Sequence, residues 1–141
     1  MTAAYSRSPT LAAYQSAAAH GGVAAADPHR LIVMLMDGAL DRIAQAKGHI
    51  ERGGDPAEKN RALHIAVSIV EELRASLDLK AGGTIAANLD DLYDYICRRL
   101  IQGNLRNEIK ALDEAANLLK EIRMAWTALP EEARASRAAS R

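Results

Sequence analysis

Two Asp-Pro pairs and three Gly-Gly pairs punctuate this chain, and they leave little choice about what it folds into. Asp27-Pro28 and Asp55-Pro56 each set a side-chain oxygen ahead of a proline. The carboxylate can take an orphan amide of a first helical turn, and proline fits a position whose N–H has no helical partner. Behind Asp27-Pro28, the residues Leu31, Leu35, Ala39, Ile43, Ala46 and Ile50 recur at helical spacing as far as Gly53-Gly54. Behind Asp55-Pro56, with Glu58 at the reciprocal position of a capping box, Ala62, Ala66, Ile69, Leu73 and Leu77 form a stripe, and Leu63, Val67 and Val70 widen it. Gly82-Gly83 is predicted to stop this second helix.

A third helix is predicted from Thr84, as its cap, to about Ile101, with Ile85, Leu89, Leu92, Tyr93 and Ile96 on one face. A fourth follows Asn104 and carries Leu105, Ile109, Leu112, Ala116, Leu119, Ile122 and Trp126, before Pro130 ends the pattern. Short turns between helices of this length favour antiparallel neighbours. The fold class is therefore all-α, an antiparallel four-helix bundle. Residues 27–129 form the bundle. Residues 1–26, rich in Ala, Ser and Gly, read as a flexible N-terminal arm, and residues 130–141 as a polar tail. Gly38 costs its helix roughly 1 kcal/mol relative to alanine, which a close backbone approach would offset.

Charge and composition exclude several functions. Lys and Arg number 18 and Asp and Glu 18, so no global field gathers nucleic acid or anionic lipid. No segment approaches the ~20 apolar residues needed to span a bilayer, and Met1 to Gln15 lack the pattern of a cleaved signal, so membrane insertion and signal-directed secretion are not expected. Cys97 is the single cysteine, which fits a reducing cytoplasmic setting and permits no internal disulfide. Glu-x-x-His pairs of the kind that hold metals inside bundles are absent, and His20, His29, His49 and His64 are isolated from one another. No metal, cofactor or enzymatic activity is expected. The acidic edge Asp90, Asp91 and Asp94 reads as a solvated helix face.

What remains is a protein partner. Leu89, Leu92 and Ile96 share a helix with Tyr93 and Tyr95, whose rings bury area while their hydroxyls can stay wet. An amphipathic or extended segment could occupy such a surface, although a bundle core uses the same stripe.

The order of several motifs resembles the flagellar export chaperone family that binds flagellin before secretion. The resemblance covers nearly all of residues 14–126. It rests on Tyr14-Gln15, Asp27-Pro28 with Leu31-Ile32 and Leu35, Asp37-Gly38-Ala39, and Ile69 with Glu72-Leu73 and Ser76-Leu77-Asp78. It continues through Gly82-Gly83, Ile85-Ala86, Asn88-Leu89, Leu92-Tyr93-Asp94-Tyr95, Leu100, Asn104 and Trp126. Met36 departs from the tyrosine common before the Asp-Gly pair, replacing a phenol with a thioether that fills space without its hydrogen bond.

The resemblance implies a cytoplasmic chaperone that captures the disordered C-terminal segment of flagellin, prevents premature polymerisation and helps deliver it to the export gate of the flagellar type III apparatus. Flagellin-contacting residues are then expected at Leu73, Leu77, Leu89, Leu92, Tyr93 and Ile96, with Tyr14 of the arm as a cover when flagellin is absent. The alternative is a structural bundle that self-associates, for instance as a homodimer, through the same stripe.

Overall fold

Asp27 and Asp55 open the first two helices. The carboxylate of Asp27 accepts from the Arg30 amide at 3.3 Å and that of Asp55 from the Ala57 amide at 2.9 Å, each with proline at the first helical position. The computed structural model describes residues 27–129. It holds four helices: α1 (Pro28–Arg52), α2 (Pro56–Ala75), α3 (Leu79–Arg106) and α4 (Ile109–Thr127). The arm and Tyr14, like the tail from residue 130, lie outside the described residues. Each helix packs on its chain neighbours, and α4 returns to α1, so that α1 faces α3 and α2 faces α4 only across the diagonals. The result is an antiparallel four-helix bundle.

The junctions on both sides of α3 differ from those predicted. α2 stops at Ala75 rather than at Gly82-Gly83: the Ser76 hydroxyl donates to the carbonyl of Leu73 at 2.7 Å, and Asp78 caps α3 by accepting from the Ala81 amide at 3.0 Å. Side-chain bonds to local backbone compete with helix continuation, and here they end α2 early. The cap of α3 is thus Asp78, not Thr84. Gly83 then breaks the start of α3 with φ 56 and ψ −133, a conformation reserved for glycine. At its far end α3 runs on to Arg106, and Asn107 closes it in the left-handed region. The ammonium of Lys59 on α2 donates to the Asn104 carbonyl at 2.9 Å and to Asn107 Oδ1 at 2.6 Å, satisfying the last turn of α3. Leu105 consequently stands exposed on α3 instead of buried on α4.

The core is aliphatic. Ile43 and Met36 of α1, Ile69 and Leu73 of α2, Ile96 and Leu100 of α3, and Leu112 and Leu119 of α4 are all essentially shielded from solvent. Met36 fills its space with a thioether. Cys97 joins this core, its thiol 3.9 Å from the carbonyl of Val67, and burial, with the Glu71 carboxylate nearby, pushes the thiol up to about 12. Ion pairs staple three of the four seams at the surface. Arg123 grips Asp37 at 2.6 Å and Lys47 meets Asp113 at 2.8 Å across α1–α4, Arg74 reaches Asp90 at 2.7 Å and Asp94 at 3.2 Å across α2–α3, and Arg99 meets Glu114 at 2.6 Å across α3–α4. Exposed pairs of this kind add little each, up to about 1 kcal/mol.

The close approach of α3 to α4 depends on Gly103. A Cβ there would sit 2.6 Å from Cδ2 of Leu112 and 3.2 Å from the carbonyl of Glu108. Leu112 is fully buried and cannot swing aside. Gly103→Ala is therefore expected to lower the urea midpoint, because overpacking costs about 1–3 kcal/mol against the ~1 kcal/mol that alanine gains in a helix. At Gly48 the same substitution meets only the mobile guanidinium of Arg52, and Gly48→Ala is expected to raise the midpoint. Equal shifts of the same sign in both variants would contradict this account.

Candidate apolar client cleft

One end of the bundle is hollow. The start of α1, the end of α2 with its turn, the start of α3 and the end of α4 meet there around a cleft of about 440 Å³. The early stop of α2 creates part of it. Leu77 leaves the helical stripe that its spacing suggested and lines the cleft from the turn. On α3, Ile85, Leu89, Leu92 and Tyr93 descend from rim to floor: Ile85 is 58% exposed, Leu92 36%, and Tyr93 4%. α4 supplies the opposite wall with Leu118, Ile122, Ala125 and Trp126, and Leu73 of α2 and Ile32 of α1 close the depth. Polar lining is sparse, with Ser76 and Glu121 at the margin.

The residues predicted as a contact surface divide accordingly. Leu73, Leu77, Leu89, Leu92 and Tyr93 come together in the cleft. Ile96 does not. Its side chain is wholly enclosed in the core beneath, with no exposed surface. The sequence reading missed Ile85 and the whole α4 wall, whose residues at helical spacing looked like core. Only the exposure of the rim distinguishes them.

Trp126 is fixed in place from behind. Its indole N–H donates to the carbonyl of His29 at 3.1 Å, and Nε2 of His29 lies 3.0 Å from the carbonyl of Trp126. The two rings stack with centroids 4.9 Å apart and planes 10° from parallel. A carbonyl can only accept, so Nε2 of His29 is the donor in this pair. These two hydrogen bonds join the first turn of α1 to the last turn of α4 beside the cleft.

Below the cleft, the Tyr95 hydroxyl donates to the Glu114 carboxylate at 2.9 Å, and that bond raises the phenol above its ordinary value. Asp90 and Asp94, expected as a solvated edge, are held by Arg74. Charged side chains thus brace the helices around the hollow and leave its interior apolar. A second hollow, of about 370 Å³, lies between α2 and α3 at the other end, but Asn60, His64 and Asn104 line it beside Ile101 and Leu105.

Nothing in the first cleft resembles chemistry. Its polar groups are too few to hold and activate a small substrate, and the Cys97 thiol is buried with its ionisation suppressed. Among the described residues no group of His, Cys, Asp and Glu is placed to hold a metal ion, and no helix is long and apolar enough to cross a membrane. An open hollow lined by leucine, isoleucine and aromatic carbon suits an apolar side-chain row of another chain.

Comparison with known proteins agrees in kind. A family model described as flagellar protein FliS matches residues 10–133. The flagellar secretion chaperone FliS of Salmonella typhimurium is 43% identical over 122 residues, covering 86% of this chain and 90% of its own. The flagellar secretion chaperone FliSB of Pseudomonas aeruginosa is 43% identical over 113 residues, covering 80% and 89%. The FliS chaperone of Bacillus subtilis is 35% identical over 101 residues, covering 72% and 74%.

Proposed function

The chain belongs to the family of the flagellar protein FliS, and from that premise we propose that it is a flagellar secretion chaperone whose apolar cleft holds the C-terminal segment of flagellin. The observation that carries this reading is the open apolar hollow itself, with Ile85 and Leu92 exposed at its rim. Leu73, Leu77, Leu89, Leu92 and Tyr93 make the contact together with Ile85, Ile122 and Trp126, and Ile96 supports them from the core.

The mechanism needs no nucleotide. A disordered client loses chain entropy on docking, about 2–5 kcal/mol or more of the gross interaction, and recovers it by burying apolar side chains against this surface. While those side chains are covered they are unavailable to other flagellin subunits, which prevents premature polymerisation. The work is done in the cytoplasm, before the client passes to the flagellar type III export apparatus, and it involves no catalysis, cofactor, nucleic acid or membrane insertion. Tyr14 of the arm competes for the same apolar surface when no client is present.

Calorimetric titration with the C-terminal segment of the native flagellin tests this. One-to-one saturable binding with a negative heat-capacity change is expected, and a scrambled segment should give no heat. Absence of binding by two intact proteins, with the chain instead forming dimers that hide the rim, would overturn the reading in favour of self-association.

A further inference from the structure

We propose that the His29 side chain is a positioning group for the client: it holds Trp126 as a preformed wall of the cleft, while the main-chain carbonyl of the same residue consumes the polar capacity of the indole. The proposal rests on the reading of the cleft given above. A half-buried tryptophan at the last turn of a helix has several rotamers open to it, and fixing one of them on binding would cost affinity. The His29 side chain fixes it beforehand by stacking on the indole and by donating from Nε2 to the main-chain carbonyl of Trp126, and the main-chain carbonyl of His29, present whatever the residue, takes the indole N–H. Because the indole N–H is already given to the His29 carbonyl and one ring face is covered by imidazole, Trp126 offers the cleft only aromatic carbon.

That arrangement has a consequence for selectivity. A client side chain that carries a hydrogen-bond acceptor finds no donor on Trp126 and must leave its water behind unrewarded, whereas an aliphatic or aromatic side chain loses nothing. His29 itself does not line the cleft. Its effect on the client passes through Trp126.

Trp126 is the only tryptophan in the chain, so its fluorescence reports the wall directly. In the client-free protein, His29→Ala is expected to shift the emission to longer wavelength and increase acrylamide quenching. Affinity for the flagellin C-terminal segment is expected to fall about tenfold, the size of effect that one immobilised side chain and one hydrogen bond supply. His29→Gln, which keeps an N–H donor, should recover part of both signals. In a Trp126→Ala background, His29→Ala should cause no further loss of affinity.

Circular dichroism establishes that each variant remains folded, and the glutamine variant serves if the alanine variant does not. Unchanged affinity in folded His29 variants, or an equal loss with and without Trp126, overturns the proposal while leaving the cleft as the client site. Wild-type protein that fails to bind the segment overturns the cleft reading and the proposal with it.

Discussion

Ile85→Asp combined with Leu92→Asp is expected to abolish measurable capture of the flagellin segment while the bundle melts almost as the wild type does. Both side chains stand at the rim of the cleft, 58% and 36% exposed. Covering each by a client contributes about 1.5–3 kcal/mol, and a carboxylate in its place must be desolvated without a partner. The two losses exceed roughly 3 kcal/mol, a factor above ~100 in affinity. Without client the new carboxylates remain in water, so the melting temperature should stay within about 4 °C of wild type. Met124→Asp, at a 66% exposed position of α4 that does not line the cleft, should bind normally. Normal binding by the folded double variant would remove these helices from the contact surface.

One helical turn below Leu92, the same substitution is expected to destroy the fold. Ile96 has no exposed surface and packs in the aliphatic core. Ile96→Asp loses about 2–5 kcal/mol of packing and adds several more for an unpaired carboxylate in an apolar interior. Against a total stability of about 5–15 kcal/mol, little folded protein should remain. Far-UV circular dichroism at ambient temperature decides it: native helicity in Ile96→Asp would show that this position is not enclosed. The contrast between neighbouring turns separates the client surface from the core that supports it.

That contrast also marks where sequence legibility ends. The Asp-Pro starts of α1 and α2 were readable because capping is local: the carboxylate, the proline and the amide they serve lie within one turn. The end of α2 was misread because the glycine pair is a conspicuous stop, while the effective one is made by Ser76 bonding its own helix and Asp78 capping the next. Leu92 and Ile96 share a stripe in sequence, and only the packing of the neighbouring helices decides which of them meets solvent. The α4 wall of the cleft was hidden for the same reason. His29 and Trp126 are 97 positions apart, and no local pattern announces that they stack.

The buried thiol makes the chain its own reporter of motion. Cys97 is the only cysteine, 3% exposed, wedged against α2, with its ionisation pushed up to about 12. Alkylating reagents attack thiolates, and in the closed bundle there is almost none to attack. Once α2 and α3 part, the same side chain regains an ordinary value near ~8.5 and becomes reactive. The appearance of label therefore counts openings of the α2–α3 seam, and a client that ties these helices together slows the count. No foreign probe has to be introduced to watch the chaperone breathe.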